Sequence, residues 1–91
     1  MYIHIGKEIS IQASWIVAVL DLDKASEYSQ DLREYLLNME KIGKLQWLGP
    51  QIPRSIIIAL DRVYLSPVSV ETLRQRFDQK YYQSELKEYH E

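Results

Sequence analysis

Arg54-Ser55-Ile56-Ile57-Ile58-Ala59-Leu60-Asp61-Arg62-Val63-Tyr64-Leu65-Ser66-Pro67 is the stretch on which the fold turns. Three consecutive isoleucines are β-branched on both faces of a strand, a pattern that belongs to a strand covered on both sides. Asp61-Arg62 supplies a tight turn, Val63-Tyr64-Leu65 returns, and Ser66-Pro67 ends the pairing, so the segment predicts a β-hairpin. A chain built around such a hairpin is a β-sheet protein that must find something to cover each face.

Working backwards, Lys44 to Pro53 reads as a loop, because Pro50 and Pro53 argue against regular strand pairing there. Before it, Tyr28, Leu32, Tyr35, Leu36, Met39 and Ile42 recur every three or four residues, which predicts one amphipathic helix over 25–42. Gly43 stands where a left-handed stop is expected, and Asp21-Leu22-Asp23 is positioned to end a strand and cap the helix. Tyr28, Tyr35 and Tyr64 take core-facing positions in this reading. The first 22 residues predict three short strands. Tyr2 to Ile5 and Ile9 to Gln12 alternate around a Gly6-Lys7-Glu8 turn, and the near-continuous apolar run from Trp15 to Leu20 predicts a central strand. Working forwards, Ser69 caps a second helix with Val70, Leu73 and Phe77 on its apolar face. The order is βββ-α-ββ-α: an α+β fold with a mixed sheet of about five strands, one long helix packed on it and a C-terminal helix. Residues 1–78 form the single domain and 79–91 a polar, tyrosine-rich extension.

The 91 residues suffice for one domain, and 46% apolar with 26% charged residues is an ordinary globular balance. There is no cysteine, hence no disulfide or thiolate site, as in a protein of a reducing compartment. The opening residues lack a basic signal-peptide region, and no apolar run approaches the length of a membrane span, so a soluble, cytoplasmic protein is expected. Nothing points to an enzyme. His4 and His90 are the only histidines, three glycines build no phosphate loop, and no metal-ligand spacing is present. No cofactor, metal or small-molecule substrate is therefore expected.

Two groups of side chains remain. Arg54, Arg62, Arg74 and Arg76, with Lys7, form a candidate DNA-binding set if they converge on one face, and Lys80 lies further along the same half; Glu71, Asp78 and Glu85 are positioned to neutralise that face. The net charge of -2 is not that of a dedicated nucleic-acid binder. Trp15, Trp47, Tyr81 and Tyr82 are candidate interface anchors, being more aromatic surface than a small monomer buries. They point to self-association.

Met1-Tyr2-Ile3-His4-Ile5-Gly6, Ile16-Val17-Ala18-Val19-Leu20-Asp21, Pro53-Arg54-Ser55-Ile56-Ile57-Ile58, Val63-Tyr64-Leu65-Ser66-Pro67-Val68-Ser69 and Glu71-Thr72-Leu73-Arg74-Gln75-Arg76 resemble the RemA/RemB extracellular matrix regulatory protein family, most of all its RemB type. The resemblance covers about residues 1–77. It implies a bacterial transcription regulator of extracellular matrix (biofilm) genes, a subunit likened to LytTR-type DNA-binding domains, and a ring-shaped homo-oligomer displaying arginines to double-stranded DNA. The chain departs from the family in two places. Ser14 stands where RemA-like members carry a basic residue before the third strand, and Pro50-Gln51 follows Gly49 where the family has adjacent arginines. These departures motivate a second reading, a self-assembling scaffold protein of the same fold that binds no DNA.

Overall fold

The computed structural model describes residues 1–24 and 29–89, with side chains through residue 79. Strands β1 (Tyr2–Gly6) and β2 (Ile9–Gln12) form an antiparallel hairpin, and a single 3₁₀ turn (Ala13–Trp15) leads into β3 (Ile16–Asp21). Helix α1 (Gln30–Lys41), β4 (Leu45–Trp47), β5 (Ser55–Ala59), β6 (Val63–Ser66) and α2 (Val70–Tyr89) complete the chain. The class is α+β, as the sequence predicts, and among the described residues there are two helices and six strands, the strands divided into two sheets. The second sheet has the order β3-β5-β6-β4.

Strand β5 is the centre of that sheet. Ile57 faces the β1-β2 hairpin and α2, in a core with Ile3, Ile5, Leu48, Tyr64 and Leu73. Ile56 faces α1, in a second core with Val63, Leu65, Leu32, Leu36 and Met39. The three isoleucines are apolar in succession because each face of β5 has its own cover.

Two strand readings need correction. The apolar run of β3 lies at an edge of the sheet and not at its centre. Its register with β5 is broken at Val17, which stands 63% exposed. A bulge on an edge strand turns a residue outward and blunts further pairing. At the other edge, Leu45–Trp47 inside the expected loop pairs in parallel with β6. The prolines do not prevent this, because both follow the strand.

Helix α1 is capped by Ser29, whose Oγ accepts the Leu32 N–H at 3.2 Å, and not by an aspartate. It ends in a Schellman turn. Gly43, at φ 74°, donates to the Glu40 carbonyl, and Lys44 donates to that of Met39. Tyr64 is buried as expected, Tyr35 is 38% exposed and not core-facing, and Tyr28 lies outside the described residues. The hairpin tip at Lys7 is a non-glycine residue at φ 53°, beside Gly6 at φ 139°.

Candidate functional site

The ends of β3 and β5 and the start of α2 meet around a cleft of about 400 Å³. Asp21 closes β3 and accepts the N–H groups of Asp23 (2.9 Å) and Lys24 (3.3 Å), which bends the chain over the cleft. Arg54 is fixed by its backbone, donating to the Ser66 carbonyl at 2.7 Å and accepting from Leu22 at 3.0 Å. Its guanidinium reaches Asp23 Oδ2 with Nε at 2.9 Å and Nη2 at 2.8 Å. That hydrogen bond, and then the Asp23 charge, holds Arg54 above its ordinary pKa. From the other wall, Ser69 Oγ accepts the Thr72 N–H at 3.2 Å and caps α2, and Arg74 lies one turn into the helix.

Lys24, Arg54 and Arg74 line this cleft together with Asp21, Asp23 and Glu71. Among the described residues three cations face three carboxylates, so their formal charges balance. The expected convergence is thus realised for Arg54 and Arg74 alone. Arg62 sits at the opposite end of β5, roughly 15 Å of strand away, where Nε meets Asp61 at 3.3 Å and Nη1 donates to Gln46 Oε1 at 3.0 Å. Arg76 is two residues beyond Arg74, about 200° around the helix. It faces β1 and donates to the His4 carbonyl at 2.8 Å. His4 Nε2 lies 2.7 Å from the Lys7 carbonyl, so Nε2 carries the hydrogen and Nδ1, 3.3 Å from Arg76 Nη1, is left as an acceptor. Arg76 and Lys7 therefore belong to a second, smaller positive spot at the hairpin tip.

The proposed anchors separate in the same way. Trp15 (44% exposed) stands with Val17 and Leu60 along the β3 edge, where the Trp15 carbonyl accepts the Leu60 N–H at 2.9 Å. Trp47 (58% exposed) lies on β4, with Ile42 ahead of that strand and Ile52 in the loop after it. The side chains of Tyr81 and Tyr82 lie outside those described. Sequence reasoning missed Val17, Leu60, Ile42 and Ile52. Val17 and Leu60 sit in apolar runs that read as buried strand; the bulge on the edge strand β3 exposes Val17, and Leu60 is exposed because it lies past the end of β5, in the turn to β6.

A family model described as extracellular matrix regulatory protein A-like matches residues 2–77. The chain belongs to this RemA-like family. Membership makes it one of the extracellular matrix regulatory proteins. The matched span runs from the first residue of β1 to Phe77 on α2, so it takes in the cleft, both sheets and both apolar edges. A search of curated proteins finds no match to the chain. Within this RemA-like domain, Ser14 occupies the 3₁₀ turn before β3, and Pro50-Gln51 lies in the β4-β5 loop. Among the described residues no helix is long and apolar enough to cross a membrane.

Proposed function

We propose that this RemA-like chain is a cytoplasmic, homo-oligomeric, DNA-binding regulator of extracellular matrix (biofilm) genes, nearest the RemB type. The observation that carries the reading is the shared position of Arg54 and Arg74 at the N-terminal end of α2. Two forked guanidiniums and a helix start form a natural phosphate contact. One neutral cleft contributes little by itself. Repetition around an assembly changes this, because linked sites raise overall affinity by about 10²–10⁴ without new contacts.

The sheet supports such an assembly. Its two edges carry different apolar side chains, Trp15, Val17 and Leu60 on one and Ile42 and Trp47 on the other. Unlike surfaces that pair head-to-tail generate a ring when the rotation closes. The opening Met1-Tyr2-Ile3-His4-Ile5-Gly6 and the reduced arginine loop support the RemB placement.

A specific observation favours the second reading, a scaffold that assembles without DNA: Asp23 already occupies Arg54, and carboxylates match the cations of the cleft one for one. Anisotropy of a labelled duplex across 50–200 mM salt, with particle mass measured in the same buffers, separates the two. Binding that weakens steeply with salt and is abolished by Arg54→Glu with Arg74→Glu in an intact oligomer supports the regulator. An intact oligomer that binds no duplex at 50 mM salt establishes the scaffold.

A further inference from the structure

At the Asp61-Arg62 end of the second sheet, between the β1-β2 hairpin and Tyr64 of β6, lies a second cavity of about 210 Å³ that reaches to Trp15 ahead of β3; Tyr2, Trp15, Tyr64 and Asp61 line it together with the β2 residues Ser10, Ile11 and Gln12. Three aromatic side chains and one carboxylate are the elements of a cation seat: ring faces attract a positive charge, and the carboxylate fixes it. Among the described residues no cationic side chain lines the cavity. Arg62, next to Asp61, engages only Oδ2, at 3.3 Å, and directs Nη1 away to Gln46. Burial, and then the Asp61 charge, raises the pKa of Tyr64, while Arg62 opposes the shift.

We propose that this cavity receives the ammonium of Lys44 from a neighbouring copy of the chain. The inference rests on the self-assembly reading above and names a contact within it. Lys44 is exposed, precedes β4 directly, and makes no ion pair among the described residues. Its carbonyl accepts the Val63 N–H at 2.9 Å, which places it at the end of the sheet where the Asp61-Arg62 turn lies. Lys44 and the Trp15 side of the cavity therefore stand at the same end of the sheet on opposite edges. A rotation that sets the β4 edge of one copy against the β3 edge of the next keeps those ends level and brings Lys44 to the cavity mouth. The same placement sets Ile42 and Trp47 against Val17 and Leu60, so the apolar and charged parts of the two edges match in one register.

The test is a charge swap read by sedimentation equilibrium of the purified full chain, with circular dichroism confirming the fold of each variant. Lys44→Glu and Asp61→Lys each weaken subunit association by about ten-fold or more, the double variant restores it, and Lys41→Glu on the preceding helix has no comparable effect. Trp15→Ala weakens association without changing net charge. Equal loss from Lys41→Glu and Lys44→Glu, or a double variant no better than either single one, overturns the seat. If Lys44→Glu and Asp61→Lys leave the mass unchanged while Val17→Asp or Trp47→Ala dissociates the particle, the chain assembles by its edges and this contact alone is wrong. A wild-type chain that is monomeric at every concentration removes the assembly reading as well.

Discussion

Asp23 restrains Arg54, the side chain proposed above to contact DNA, and Asp23→Asn isolates this restraint. In the native cleft three cations face three carboxylates, and Asp23 takes both Nε and Nη2 of Arg54 on one oxygen. The pair is solvent-exposed, with side chains 54% and 40% accessible, so the substitution leaves the core untouched. It raises the charge of each cleft by one and frees one guanidinium. Each phosphate neutralised on duplex DNA contributes about 0.9 to the slope of log affinity against log salt. Between 50 and 200 mM salt that is about 3.5-fold more salt sensitivity for every protomer that touches DNA, and about 12-fold for two. The assay is anisotropy of a labelled duplex at four salt concentrations, comparing the native chain, Asp23→Asn, and Asp23→Asn with Arg54→Gln. Asp23→Asn binds more tightly at low salt with a steeper slope, and adding Arg54→Gln returns both to the native values or below. A slope that does not change in Asp23→Asn, in a chain that binds DNA, refutes the claim that Arg54 is held back by its partner.

The remaining predictions concern the scaffold of the cleft. Ile57 is fully buried between the hairpin, α2 and the centre of the sheet, so Ile57→Ala lowers stability by about 2–5 kcal/mol, read as a lower denaturation midpoint in urea. Gly6 sits at φ 139° with Pro67 Cδ 3.3 Å from where a Cβ would stand; Gly6→Ala costs about 1–3 kcal/mol. At Lys7, already left-handed at φ 53°, Lys7→Gly is neutral or stabilising by up to about 1 kcal/mol, and the same urea titration checks both. Tyr64 has its pKa raised above the usual 10.0, chiefly by burial. Below that value both folded and unfolded chains keep the proton. Above it the unfolded chain releases its proton first, so stability falls as pH rises until the folded phenol also ionises. Urea midpoints at pH 8 and pH 11 therefore drop less for Tyr64→Phe than for the native chain.

The sequence makes the composition of the sheet legible but not its order. Ile56-Ile57-Ile58 and Trp15 to Leu20 carry the same message, an apolar run without alternation, and one proves central while the other is an edge. Periodicity reports how many faces of a strand meet apolar atoms, whereas position in the sheet depends on which strands pair, and that is set by contacts distant in sequence. The bulge at Val17 explains the ambiguity: it turns one residue of an apolar run toward solvent at the edge, and no local residue type announces it. The parallel pairing of Leu45–Trp47 was hidden for a similar reason, since Pro50 and Pro53 drew the whole segment into a loop although only its second half is irregular. At the cleft, the approach of Arg54 to Arg74 follows from a helix start that lies against the end of the central strand, and spacing along the chain cannot supply it. Arg74 and Arg76, grouped in one set by the sequence reading, separate for a reason the sequence already holds: residues two apart on a helix diverge by about 200°.

The two functional readings meet at one physical question: what a protomer of net charge -2 gains from assembly. A lone cleft with balanced charge has no long-range attraction for DNA, and the other positive spot among the described residues, Arg76 with Lys7 at the hairpin tip, is smaller. In a ring built edge to edge, however, the cleft lies at the Asp21-Ser55 end of the strands and Asp61 lies at the other. Every Arg54-Arg74 pair then appears on the same rim, and the carboxylate beside Arg62 is carried away from it. Association also places Lys44 against Asp61, which leaves the rim charge unchanged. On the regulator reading, the attraction of each cleft for DNA grows by local rearrangement, when phosphate displaces Asp23 from Arg54. That displacement is why exchanging Asp23 changes the salt slope, while exchanging Lys44 or Asp61 changes the mass of the particle and acts on DNA only through avidity.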